Sequence, residues 1–302
     1  MIHRNHSIAH QNVKKIFYTL VLSILFMLLP SILMGEMPMQ RYYYADIPSG
    51  NEPVILGIAN NIIDFLSRAI PAWHVFFVLT PILIIFTWFC SWVASILKVK
   101  KGLKTAYTRK VFHFMIFSMA GILQIVIGLP GVILFGIIVV IVILFAVHKG
   151  SGFPFYEALA RSKDSPRRSA FILIPLATTA LGGVLANVFF YPFAYIGYFV
   201  CGCGDAVGEP IGAKWGKHTY KVPSMFGVKV TRSIEGSIGV LVVGFLAAFL
   251  ALLFSAHDVR TSLFVGAICA LGGALIEAVS THGLDNVTIQ LVVSGIAYII
   301  LH

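Results

Sequence analysis

The sequence predicts an all-α, polytopic integral membrane bundle of about nine transmembrane helices with a cytosolic N-terminus. Three observations carry this reading. Of 302 residues, 58% are hydrophobic and only 11% are charged, against about 25% charged in ordinary soluble domains. Apolar runs close to the ~20 residues needed to cross a hydrocarbon core recur along the whole chain. The basic residues sit in short clusters between those runs, as membrane topology requires.

Taken in order, the candidate spans are 14–34, 72–97, 111–128, 131–147, 170–190, 192–213, 236–256, 261–280 and 285–301. The first follows a basic, histidine-containing segment. It is long for a signal-peptide core and lacks a clear small-residue cleavage site, so it reads as a retained span. Leu129-Pro130-Gly131 is expected to form a tight turn between the third and fourth spans, and Tyr191-Pro192 to break the fifth from the sixth. The loop 35–71 carries Tyr42, Tyr43 and Tyr44, which suit an interfacial belt. Within it, Asn60 to Ile70 reads as a short amphipathic helix lying on the membrane.

With the N-terminus in the cytosol, the inside segments hold three, six, five and five Lys/Arg in turn, 19 of the 22 in the chain. Arg41, Arg68 and Arg260 alone fall outside. The net charge of +10 is therefore a topological signal rather than a nucleic-acid face, and no nucleic-acid partner is expected. Cys90 and Cys269 lie inside apolar runs, and Cys201 and Cys203 have no second pair, so neither a disulfide framework nor a zinc site is expected. No repeat appears. Residues 1–100 form N-terminal spans and an outside loop, and 101–302 a membrane domain that carries the polar motifs.

A charge inside a span is expensive and calls for a reason. Four clusters qualify, all at the cytosolic side. The run from Cys201 to Lys217 places Asp205 about 12 Å deep if helical, then Glu209, Pro210, Lys214 and Lys217. A carboxylate can hold Mg²⁺, glycines let phosphate reach backbone N–H groups, and lysines neutralise phosphate charge. Gly204, Gly208, Gly212 and Gly216 equally make a small-xxx-small packing face. Thr231 to Ser237 leads into the seventh span. Ser233 is there an N-cap, with Glu235 suiting the helix N-terminus, or the segment, with Gly236 and Ser237, is a phosphate site beside Lys221, Lys229 and Arg232. Glu277 is buried in the eighth span, with Asp285 to Thr288 opening the ninth, Asp285 serving as a plain cap or a site residue. Arg109, Lys110 and His113 share one face where the third span leaves the cytosol; they snorkel or converge on one site.

Together these motifs resemble the polyprenol kinase family: dolichol, phytol and farnesol kinases and CTP-dependent diacylglycerol kinase. That family shows an Arg-Lys-x-x-His opening to a span, matched by Arg109, Lys110 and His113. It shows Gly-Asp and a glycine-rich stretch ending in Gly-Lys or Gly-Arg, matched from Gly204 to Lys217. It shows a basic residue, Ser/Thr, an apolar residue and Glu-Gly-Ser/Thr, matched from Arg232 to Ser237. It closes on an acidic residue in a span and Asp-Asn-Leu/Val-Thr, matched by Glu277 and by Asp285 to Thr288. The order holds over about residues 105–300. Members often carry a small or apolar residue where Glu209 stands, and Thr219 to Val230 is longer than in compact relatives.

The resemblance implies a kinase that moves the γ-phosphate of CTP to a membrane alcohol, with the bilayer, a nucleoside triphosphate and a lipid alcohol as partners. It implies Mg²⁺ on Asp205 and Asp285, assisted by Asn286. Lys214, Lys217, Lys229 and Arg232 then bind the triphosphate, with Arg109, Lys110, Gly204, Gly208, Gly212, Ser233, Gly236 and Ser237 around it. Glu235 and Glu277 orient metal or lysines, and a carboxylate or His113 accepts the hydroxyl proton. Three rivals are weaker. A CTP:phosphatidate cytidylyltransferase would carry a long C-terminal signature, of which only His282-Gly283-Leu284-Asp285 is present. A transporter would use broken helices and buried carboxylates, but would show repeated halves. A scaffold with a degenerate site does not fit so complete a motif set.

Overall fold

The computed structural model describes residues 54–223, 230–281 and 283–302. The expected first span, the tyrosine run 42–44, Lys229 and His282 lie outside them.

Among the described residues six helices are long and apolar enough to cross a membrane. An amphipathic helix precedes them. This helix, α1 (Val54–Ala69), starts six residues before the expected Asn60 and leaves Ile58, Ile62, Ile63 and Leu66 exposed. Arg68 of α1 lies 4.7 Å from the ring centroid of Tyr191. The helix α2 (Trp73–Val99) buries Leu79, Leu83, Phe86, Cys90 and Ala94 and turns Phe77, Ile85, Trp88 and Trp92 outward. An apolar outward face is what lipid requires and water penalises. Its polar side chains are satisfied locally: Thr87, Ser91 and Ser95 each donate to the carbonyl four residues back, at 2.8, 2.8 and 2.7 Å.

Next come α3 (Thr105–Val126), α4 (Leu129–Lys149), the short α5 (Pro154–Leu159) and α6 (Ala170–Phe190). The turn between α3 and α4 falls one step before the expected Leu129-Pro130-Gly131. Gly128 makes it, at φ 86°, a backbone region open to glycine. Pro130 then sits in the first turn of α4, where its missing N–H costs nothing.

After Tyr191 and Pro192 a composite helix begins. α7 (Ala194–Phe199) runs into a π-helical segment, Val200–Asp205, and on into α8 (Ala206–Trp215). A two-stranded antiparallel hairpin follows, β1 (Thr219–Val222) with β2 (Val230–Ser233), Thr219 opposite Ser233 and Val222 opposite Val230. This hairpin is a small addition to a bundle that is otherwise all-α, as expected. Its β-branched and aromatic residues suit strand pairing better than helix. Then come α9 (Ile234–Phe254), α10 (Val259–Val279) and the shorter α11 (Asp285–Leu301).

Two apolar cores form. One joins α2 to α6 through Phe86, Met115, Phe135 and Tyr156. The other joins α7, α9, α10 and α11 through Tyr195, Ile196, Leu252 and Ile289. α3 serves both: Val111, Phe112 and Met115 face the first, Phe117 and Ile125 the second. Its N-terminal turns therefore stand between the two halves, where the buried charges gather.

Candidate active site

α3 contributes the first group. Lys110 is buried and donates to Asp205 Oδ2 at 2.6 Å. His113 Nε2 lies 3.5 Å from the same oxygen and 3.3 Å from the carbonyl of Cys201. The His113 ring lies 4.3 Å from Phe117. Asp205 ends the π-helical segment, a form often found as a local widening at functional sites.

Glu209 follows Asp205 by about one helical turn. One of its oxygens is 3.4 Å from Lys110 Nζ and 3.6 Å from Arg109 Nη2. The other is 3.8 Å from Arg161 Nη1. Arg161 comes from the connection between α5 and α6 and donates through Nε to Asp164 at 2.8 Å. That connection leaves α5, which is pinned to α3 because Thr105 and Thr108 donate to the carbonyls of Glu157 and Ala158 at 3.2 and 2.6 Å. It is closed by Arg168, which donates to Glu157 at 2.6 Å and holds that carboxyl below the usual carboxylate range.

The opposite wall is built on Arg232 of β2. Its Nε is 3.0 Å from Glu277 of α10, and its Nη2 donates to Asp285 of α11 at 2.9 Å. Its Nη1 is buried with no hydrogen-bond partner among the described residues. Asn286 is turned toward α6, donating to Thr179 Oγ1 at 2.7 Å, while Cys201 Sγ approaches its Oδ1 at 3.8 Å.

α8 and α9 meet through glycines. A Cβ on Gly208 would stand 2.5 Å from Val240 Cγ2, and one on Gly212 would stand 2.9 Å from Ser233 Oγ. Gly204 likewise faces Val240. Close packing therefore accounts for this glycine face, and it draws the N-terminus of α9 against α8. Ser233 caps that helix, accepting from the Gly236 N–H at 3.1 Å.

Two cavities meet here. A polar one of about 280 Å³ is lined by Lys110, Arg161, Asp205, Glu209, Arg232, Glu277 and Asp285, with Gly208, Gly212, Ser233, Gly236 and Ser237 along one side. An apolar one of about 100 Å³ runs among Phe112, Ile116, Val139, Ile143, Phe171 and Leu176, and its polar end holds Arg109, His113 and Asn286. Lys110, Asp205 and Asp285 belong to both walls.

Most of the described residues that the resemblance assigns to the site thus converge. Four do not. Lys214 and Lys217 are exposed beyond the cavity, with Lys214 Nζ 4.4 Å from the Trp215 ring centroid. Glu235 turns outward to His218, 2.8 Å away. Gly204 lines neither cavity. Sequence reasoning missed Arg161 and Asp164. Arg161 was counted among the topological basic residues, and its signal, an arginine three residues before an acid in an otherwise solvated loop, is weak without the fold.

The site is of one class: a buried, charge-paired polar cavity joined to an apolar one within a membrane bundle. Over 99 residues the chain is 32% identical to a phytol kinase of Synechocystis sp.. The matched stretch is 33% of this chain, and the match spans 40% of that relative's length. The likeness agrees with the resemblance to polyprenol kinases drawn from the motifs. No family model matches the chain, and no solved structure matches it.

Proposed function

We propose that the chain is a lipid-alcohol kinase, transferring the terminal phosphoryl group of a nucleoside triphosphate, CTP by the family resemblance, to the primary hydroxyl of a membrane alcohol. The observation that carries the reading is the junction of the two cavities at Lys110, Asp205 and Asp285. A polar chamber suits a polyphosphate, an apolar one suits a single hydrocarbon chain, and the reacting oxygen and phosphorus must meet where they join. The 19 basic residues that the nine-span reading assigns to one side favour a cytosolic junction by the positive-inside rule.

The orphaned Arg232 Nη1 in the wall of the polar cavity is a donor in need of an acceptor, and a phosphate oxygen supplies one. Among the described residues no cluster of three or more His, Cys, Asp or Glu side chains forms a metal centre. Mg²⁺ that arrives with a nucleotide needs only one or two carboxylates, and Asp205 and Asp285 fit that demand. When bound it would neutralise charge on the phosphates.

In the proposed reaction the alcohol enters the apolar cavity and brings its hydroxyl within reach of Asp205 Oδ2 and His113 Nε2. The alcohol oxygen bonds to the γ-phosphorus as the bond to the bridging oxygen breaks. The hydroxyl proton passes to Asp205 or His113, and the nucleoside diphosphate leaves. Lys110 and Arg232 hold the phosphates and steady the carboxylates.

The test is label transfer by the purified chain in detergent, with γ-labelled CTP or ATP, Mg²⁺ and a panel of lipid alcohols. Label in the lipid phase with release of nucleoside diphosphate is expected. Release of pyrophosphate would replace the reading with cytidylyl transfer, and failure to bind any nucleotide would replace it with transport.

A further inference from the structure

Four carboxylates line the polar cavity. Asp205 has Lys110 at 2.6 Å, and Glu277 and Asp285 have Arg232 at 3.0 and 2.9 Å. Glu209 differs. Its three cationic neighbours stand at 3.4, 3.6 and 3.8 Å, all beyond the ~2.7–2.9 Å of a charge-assisted hydrogen bond. Its side chain also keeps 27% of its exposure, whereas Lys110 and Arg161 keep 7% and 8%.

Two of the cations around it are held from behind. Lys110 is fixed by Asp205, and Arg161 by Asp164, whose side chain is 1% exposed. Their positions do not depend on Glu209. The arrangement is a cradle of three positive groups, two of them preset, with one loosely held negative group in it. Several cations converging on one point favour an anion richer in charge and acceptor oxygens than a carboxylate, and a polyphosphate is such an anion.

We infer that Arg109, Lys110 and Arg161 form a phosphate-binding subsite that Glu209 occupies when no phosphate is bound, so that Glu209 competes with the phosphates of the incoming nucleotide. The assignment of a nucleotide rests on the phosphoryl-transfer reading; the competition itself does not. Glu209 sets how tightly the polar cavity holds phosphate, which keeps the charge-paired cradle closed between turnovers and eases the departure of the diphosphate. Arg161 is the group that the motifs do not reveal.

The experiment is titration of inorganic pyrophosphate into the full chain in detergent with EDTA present. Glu209→Gln is expected to tighten binding about tenfold, because a competing charge has been removed. Arg161→Gln is expected to weaken it about tenfold, and Glu209→Gln should then gain much less in the Arg161→Gln background, since the two groups share one site. A residue with a packing role alone would alter thermal stability without raising affinity. If Glu209→Gln yields too little folded protein, Glu209→Asp withdraws the carboxylate by one methylene and is expected to tighten binding about threefold. Unchanged or weaker pyrophosphate binding by the Glu209 variants overturns the inference. So does binding unchanged in EDTA but weakened in a parallel titration with Mg²⁺, which would make Glu209 a metal ligand. Tightened pyrophosphate binding together with no label transfer to any alcohol would keep the subsite and discard the kinase reading.

Discussion

The two charged walls of the polar cavity use the same chemistry to different ends. On one wall Arg232 makes two short bonds, at 3.0 and 2.9 Å, to carboxylates from two helices. On the other, Glu209 stands 3.4–3.8 Å from three cations. The first arrangement ties β2 to α10 and α11 and is nearly closed to solvent. The second is open enough for exchange. A buried carboxylate bonded closely to its cation, as Glu277 and Asp285 are, fixes structure. One that is surrounded but not bonded leaves its neighbours available to a ligand. Asp205 stands between the walls and belongs to both cavities.

The largest effect should come from that shared position. Asp205→Asn keeps the shape and an acceptor for Lys110 but removes the charge. Turnover in the label-transfer assay is expected to fall about 10³-fold, while circular dichroism and thermal unfolding stay close to those of the parent. Turnover within a few-fold of the parent would move the chemistry to one wall alone.

Next is the bonded wall. Arg232→Met leaves Glu277 and Asp285 as two buried carboxylates without their cation. Stability in detergent, read by thermal or denaturant unfolding, is expected to drop by about 3–5 kcal/mol. Glu209→Gln should cost clearly less. Equal losses on the two walls would erase the difference between them.

A smaller effect tests how the walls are brought together. Gly208 lies where α8 crosses α9, and a side chain there would meet Val240 Cγ2. Gly208→Val is expected to cost about 1–3 kcal/mol of stability and to widen the polar cavity, raising the KM for nucleotide more than it lowers kcat. A variant as stable as the parent with unchanged KM would mean that the crossing relaxes freely.

The sequence disclosed the bundle better than it disclosed the walls. Of the eight spans expected within the described residues, six stand as long apolar helices, because length and hydropathy are written locally. The sixth is instead the α7–π–α8 composite and the ninth the shorter α11. Asp205 and Glu277 are visible because a carboxylate in an apolar run stands out, and Asp285 because it opens a span within a motif, where it could equally be a plain cap. Arg161 is hidden, since a basic residue in a basic loop is ordinary until Thr105 and Thr108 pin α5, which leads into that loop, to α3. The outward turn of Glu235 is hidden too. A glutamate in the first turn of a helix reads the same whether it faces a ligand or solvent, and only the hairpin, by placing His218 beside it, decides. The hairpin itself is a tertiary outcome that no helix-period pattern announces.

Glu235 supplies the smallest effect and the sharpest contrast with Glu209. Both are glutamates in the first turn of a helix beside basic residues, and both have a cationic or potentially cationic neighbour. Glu235 has the shorter contact, 2.8 Å to His218 Nδ1, yet that histidine side chain is 74% exposed. Water screens such a pair, so its strength is low despite its length. Distance alone would rank Glu235 above Glu209; the exposure of its partner and the cavity lining rank it below. Glu235→Gln is therefore expected to leave kcat and the KM for nucleotide within about twofold of the parent, with pyrophosphate affinity unmoved. A hundredfold loss of turnover would return Glu235 to the site and require β1 and the start of α9 to close over the polar cavity when nucleotide binds.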